Sequence, residues 1–153
     1  MTLCDIGQLF KRLPSENQGG SLAFFGCWLG GRPDGVAMLK SVSHNQETLI
    51  LDFIEGERVE ISSPSDIEVM EDSLIIWSAD SVVCFWDSFD ETLPSGERKH
   101  YRFEVADDNV YFSTNHNHSI APLKGAPAFE MAWYVHPNFS GPEYNRERGK
   151  MRR

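Results

Sequence analysis

The sequence predicts a mainly β domain, an antiparallel sandwich or partly open barrel of about eight to ten strands with one short N-terminal helix closing one side. Three observations carry this reading. From Ser21 onward, turn-forming residues recur roughly every eight to twelve positions. The segments between them are rich in Val, Ile, Phe, Trp and Tyr. Near the N-terminus, Ile6, Leu9, Phe10 and Leu13 recur at helical spacing. A chain of 153 residues fits one domain, and folding at this length buries roughly 70% of the unfolded surface, enough for one core. The expected organisation is a helix and linker over residues 1–20, a β domain over 21–135 and a flexible basic tail over 136–153.

Asp5 reads as the N-cap of a helix over residues 5–13, with Pro14 as its stop. Residues 22–29 form a first strand, ended by a tight turn over residues 30–35, where Pro33 presets φ and the flanking glycines supply positive φ. Strands over 36–43 and 48–54 follow, joined through His44-Asn45-Gln46. If Leu51 and Phe53 face inward with Val59 and Ile61, the next hairpin loop has an odd number of residues and Asp52 sits opposite Glu60, a repulsive pairing. After Pro64, strands over 66–70 and 74–78 pair through Glu71-Asp72, matching Val69 with Leu74 and Ile67 with Ile76. A second tight turn at Ala79-Asp80 leads into a strand over 82–87. Ile75, Trp77, Val82, Cys84 and Trp86 then need a cover on the second face, which the N-terminal helix or a partner could supply.

Residues 91–99 are a polar loop. Tyr101, Phe103 and Val105 alternate and match Thr114, Phe112 and Val110 across a turn at Asp107-Asp108, unless Asn109 takes the left-handed position and shifts the register. Residues 121–127 read as a loop and 129–135 as the last strand. Beyond His136, Arg146, Arg148, Lys150, Arg152 and Arg153 outnumber Glu143 and Glu147.

Charge is the main functional signal. Residues 47–91 carry thirteen carboxylates against one cation, Arg58, a net −12, while the rest of the chain is +3, so the overall −9 arises in less than a third of the length. If these acids stand outward on neighbouring strands, they pool into one electronegative face that attracts cationic surfaces. The same charge argues against nucleic acid as a partner, since phosphate binding needs Lys and Arg. No apolar run approaches the ~20 residues of a membrane span, and the N-terminus has no signal-peptide core. Cysteines at 4, 27 and 84 are odd in number and lack paired short spacing, against a disulfide framework or zinc ribbon. These features predict a cytoplasmic protein, a monomer or weak homodimer.

At Gly26-Cys27-Trp28-Leu29-Gly30-Gly31-Arg32-Pro33 the chain resembles an uncharacterised bacterial family of small β-rich proteins. That family shows a G-x-W-x-G-R-P stretch near the first strand, an apolar-alternating hairpin and then a Leu-x-Ile-x-x-Ala segment before a Trp-bearing strand. The corresponding parts here are residues 49–61, Leu74-Ile75-Ile76-Trp77-Ser78-Ala79 and residues 82–86, with one extra glycine in the first motif. The likeness covers residues 22–87. It implies a single β domain and no mechanism, and it singles out Trp28 and Arg32 as contacts for an anion or partner. The plainer reading of Arg32 is that it caps nearby carbonyls or pairs with Asp34.

His116-Asn117-His118 is the sharpest local motif for chemistry. On a strand continuing from Val110, the two imidazoles share a face about 6.6 Å apart, a spacing suited to zinc if further ligands arrive from neighbouring strands. The expected register points His100 to the opposite face, leaving no third ligand; the plainer reading is a polar loop. Cys27-Trp28 with His136 and Asn138 echoes a papain-like hydrolase, but Gly30, Gly31, Pro33 and Gly35 forbid the helix that would activate Cys27. No nucleophile elbow, P-loop or dinucleotide glycine pattern occurs, so the sequence points away from an enzyme and names no catalytic residue.

The leading expectation is a non-enzymatic acidic interaction protein that binds a cationic protein partner through Asp52, Glu55, Glu57, Glu60 and Glu68, in its narrowest form an immunity-like neutraliser of a basic toxin. The alternatives are a small metal- or ligand-binding β-barrel using His116 and His118, and a domain whose acidity serves only solubility.

Overall fold

The computed structural model describes residues 2–16, 20–25, 36–89, 98–115, 117–125 and 127–136. Among these residues one helix, α1 (Leu3–Glu16), precedes nine strands: β1 (Ser21–Phe25), β2 (Val36–His44), β3 (Thr48–Phe53), β4 (Arg58–Val69), β5 (Ser73–Phe89), β6 (Arg98–Ala106), β7 (Asn109–Thr114), β8 (His118–Pro122) and β9 (Phe129–His136). The expected β-rich fold with one N-terminal helix is present. The sheet order β4-β3-β2-β1-β9-β5 closes on itself through a β4–β5 pairing, giving an antiparallel six-stranded barrel, and β6-β7-β8 extend from β5. Closure removes the edges of the six-stranded part, and among the described residues β8 remains an open edge at the end of the extension.

α1 begins earlier than expected because Thr2, not Asp5, is its cap. The Asp5 N–H donates to the Thr2 hydroxyl (3.1 Å), and the Thr2 N–H and hydroxyl donate back to the Asp5 carboxylate (3.0 and 2.9 Å). This is a capping box with Asp in the acidic position. Pro14 lies inside the helix rather than ending it. In the last turn it removes only one backbone donor, and the helix runs on to Glu16. Leu3, Ile6 and Phe10 are buried against the barrel. The Phe10 ring meets Phe24 and Trp133 edge-on, each at 5.2 Å. α1 approaches β2 closely at Gly7, where an added Cβ would lie 2.5 Å from the His44 ring.

The hairpins show which turn signals were decisive. β6 and β7 pair Tyr101 with Thr114, Phe103 with Phe112 and Val105 with Val110, as expected. Asp107 and Asp108 both take positive φ, 53° and 63°, the pattern of a type I′ turn, and the Asn109 amide merely donates to the Asp107 carbonyl at 2.9 Å. At the β3–β4 turn, Phe53 and Glu57 close an odd loop around Gly56, whose φ is 96°. Leu51 pairs with Val59, so Asp52 faces Arg58 and Glu60 faces Ile50. The anticipated Asp52–Glu60 repulsion is thus corrected by one step of even register, which keeps the buried face intact and exchanges repulsion for attraction.

Two expected interruptions are absent. Pro64 does not end a strand: β4 passes through it with register shifts on either side of Asp66 and with Ser63 at φ 44°. Bulges of this kind accommodate a residue without an N–H. Nor is there a turn at Ala79-Asp80, because β5 is one strand of 17 residues. Leu74, Ile76, Val82, Cys84 and Trp86 are buried at even positions, while Ser78 and Asp80 between them are exposed and Val83 is buried as well. β5 keeps β4 on one edge throughout and exchanges its other partner, from β9 at Ser73–Ile76 to β6 at Ser81–Phe89. Val82, Cys84 and Trp86 are therefore covered by the barrel itself. Ile75 and Trp77 face outward, away from α1, which packs on β1, β2 and β3.

β7 does not continue through His118. The Thr114 N–H donates to the Asn117 carbonyl (2.7 Å) and the Asn117 N–H to the Thr114 hydroxyl, reversing the chain so that Ser113 pairs with His118. The resulting β8 is exposed along its whole length, so it carries no hydrophobic periodicity from which to infer it.

Candidate functional site

The barrel interior is filled by Phe24, Leu49, Leu51, Phe53, Val59, Ile61, Leu74, Ile76, Val82, Cys84 and Met131. Cys84 is a free thiol. Its burial raises its pKa, so it stays protonated and unreactive. The chemistry available to a partner lies on the outer surface, where β4 and β5 carry two regions of different character at opposite ends.

The first region spans β3, β4, β5 and β6. Cross-strand rows place Asp52 beside Arg58, Phe85 and Arg102, and Ile50 beside Glu60, Val83 and Glu104. Charges alternate here. Arg58 Nε donates to Asp52 at 2.7 Å and Arg102 to Glu104 at 3.0 Å, while His100 Nδ1 lies 2.6 Å from Asp87. The Arg102 guanidinium also lies over the Phe85 ring at 5.5 Å. The hydrogen bond and charge of Asp52, with a smaller contribution from Glu60, raise the pKa of Arg58 further above its ordinary value.

The second region spans the Ser73 end of the β4–β5 hairpin together with β9 and β1. Because Leu74, Ile76, Phe129, Met131, Trp133, Leu22 and Phe24 point inward, Ile75, Glu130 and Ala132 between them point out, whereas Ala23 is fully buried. One row runs Glu68, Ile75, Glu130, and the next runs Ser73, Ala132, Phe25, Val36. Large apolar side chains are exposed along these strands: Phe25 by 39%, Met70 by 50%, Trp77 by 45% and Tyr134 by 41%. Phe25 and Tyr134 touch, their ring centroids 5.9 Å apart. Asp66, Glu68, Glu71, Asp72 and Glu130 stand around them, exposed and without an ion pair among the described residues. Residues 20–25, 66–77 and 129–135 contain no Lys or Arg. The Trp133 N–H donates to the Asp72 carbonyl at 2.9 Å, tying the turn of this hairpin to β9.

The acidic residues singled out from the sequence are therefore divided. Asp52 and Glu60 belong to the alternating region, and Glu55 stands exposed in the β3–β4 turn. Glu57 is buried, 3% exposed, with its carbonyl accepting the Phe53 N–H. Glu68 alone lies in the second region. About 30 Å of strand separates Ile75 from Phe85, too far for the arginines of one end to screen the carboxylates of the other. One continuous acidic face is thus replaced by a region where carboxylates alternate with arginines and a region with no Lys or Arg in residues 20–25, 66–77 and 129–135. Sequence reasoning missed Met70, Glu130 and Tyr134, and named Trp77 only as a residue in need of a cover. The signal that could have found Glu130 and Tyr134 is the parity of β9.

His118 stands exposed on β8 across from Ser113, with no strand continuing from Val110 to align it with His116, which lies outside the described residues. Trp28, Arg32, Cys27 and the tail beyond His136 also lie outside them. No group of three or more His, Cys, Asp or Glu able to hold a metal ion occurs among the described residues. An open groove of about 320 Å³ beside α1 is lined by Phe10, Pro14, Leu22 and Leu39 with Lys11 and Lys40. No helix among the described residues is long and apolar enough to cross a membrane. Compared with protein-family models, characterised proteins and solved structures, the chain finds no match.

Proposed function

We propose that this protein is a non-enzymatic binding protein for a cationic protein partner. The observation that carries the reading is the segregation of charge. Asp52, Asp87 and Glu104 are paired with Arg58, His100 and Arg102, whereas Asp66, Glu68, Glu71, Asp72 and Glu130 have no ion pair among the described residues. Unpaired carboxylates collected on one side steer an oppositely charged surface and raise its association rate. Neutralisation of a basic toxin, in the manner of an immunity protein, is the narrowest version of this function.

The test is affinity capture of partners from source cells at low and high salt, followed by charge reversal. A partner retained at low salt should be released as salt rises. Reversal at Asp66, Glu68 and Asp72 should slow its association by about tenfold while leaving the fold intact, since rim charges act mainly on the on-rate. Retention indifferent to both salt and reversal would sink the proposal.

A further inference from the structure

We propose that the outward face of β4, β5, β9 and β1 around Trp77 docks a basic amphipathic segment of another protein, in which Arg or Lys alternates with large apolar side chains. This deepens the reading above and rests on it. The face is an unpartnered sheet surface among the described residues. Phe25, Met70, Trp77 and Tyr134 project from adjoining strands of one sheet. Scattered single exposed apolar residues need no explanation, but Phe25 and Tyr134 in contact, on the same outward face as Met70 and Trp77, have the composition of an interface centre.

Charge selects the occupant. Ile75 lies between Glu68 and Glu130 in one row, roughly 10 Å from one carboxylate-bearing strand to the other, so an apolar group seated there has a place for a cation on each side. Glu71 and Asp72 extend the rim at the turn. An Arg or Lys in that position also lays its aliphatic stem along Trp77, whose face attracts a cation. A second copy of this chain is disfavoured, because a self-complementary contact sets this acidic rim against itself in a molecule of net charge −9. Nucleic acids and anionic lipid surfaces are repelled by the same rim.

The experiment titrates the full chain with three labelled eight-residue peptides, alternating Arg-Leu, Arg-Gly and Glu-Leu, by fluorescence anisotropy at low and high salt. Arg-Leu should bind at least about tenfold tighter than Arg-Gly, and Glu-Leu should not bind. Trp77→Ser and Met70→Ser should each weaken Arg-Leu by about fivefold to tenfold, and Glu68→Gln with Glu130→Gln should flatten its salt dependence. An unchanged urea midpoint shows that these exposed positions do not act through stability. Salt-sensitive Arg-Leu binding that survives Trp77→Ser would overturn this docking site while leaving a cationic partner in place. Absence of salt-sensitive binding by either arginine peptide would overturn the site and the wider reading together. A dimer that dissociates in Trp77→Ser would assign the face to a second copy and overturn the basic segment.

Discussion

At the Phe85 end of β4 and β5, carboxylates lie beside basic side chains: Asp52 with Arg58, Glu104 with Arg102, Asp87 with His100. At the Ile75 end of the same two strands, Glu68 and Glu130 flank an apolar residue, and residues 20–25, 66–77 and 129–135 contain no Lys or Arg. The difference arises from strand order. Where β5 turns to β6 it acquires a neighbour that supplies His100 and Arg102; where it turns to β9 it acquires one with no Lys or Arg. Net charge is thus a poor guide to a protein's field, and the exchange of partners along one long strand is a better one.

The sharpest way to break this comparison is to test the alternation of β5 where the two regions meet the core. Ile76→Ala should cost about 2–5 kcal/mol, because Ile76 is fully buried in the barrel, whereas Trp77→Ser should stay within roughly 1 kcal/mol. Urea denaturation of both variants reads this directly. Equal losses would mean that Trp77 is packed and that the second region is not a free surface.

A smaller effect separates the electrostatics. A double-mutant cycle on Asp52 and Arg58 should give a coupling of about 0.3–1 kcal/mol that shrinks with salt, the range for a partly exposed ion pair. Glu68→Gln should instead be neutral or raise stability by a few tenths of a kcal/mol, by removing like-charge repulsion. Loss of stability from Glu68→Gln would reveal a hidden cationic partner within the chain.

The smallest effect is a control outside both regions. The Thr2 N–H and hydroxyl hold the Asp5 carboxyl below the ordinary aspartate pKa. A group whose folded pKa is depressed contributes its stabilisation in full above the unfolded value, about 3.9, and loses it as pH falls through the lower folded value. NMR of the Asp5 amide should therefore show the first turn of α1 loosening only in strong acid, and Asp5→Asn should abolish that pH dependence. An identical acid titration in both proteins would contradict the capping box.

Much of the fold was legible from residues alone. The Asp107-Asp108 turn could be placed because both flanking strands alternate cleanly, and the Glu71-Asp72 turn for the same reason; both registers match. Pro64 and Ala79-Asp80 misled, because a bulge and a strand of uncommon length override local turn preference where the β4–β5 ladder continues through both. β8 was illegible, since it is held by backbone pairing and buries nothing. The candidate site was legible only in outline. Glu68 was among the acids singled out, but Trp77 was expected to be covered, and Glu130 lies well outside the acidic stretch.

By itself the sequence determined the β class, the single helix, most of the inward-facing residues and the excess of negative charge, because periodicity and composition are local properties. Only the tertiary structure decided that β4 closes on β5, that Asp52 meets Arg58 rather than Glu60, and that Glu68 and Glu130 become neighbours across Ile75. Pairing brings together residues far apart in the chain, and register and strand order follow from burying one shared core rather than from any one segment.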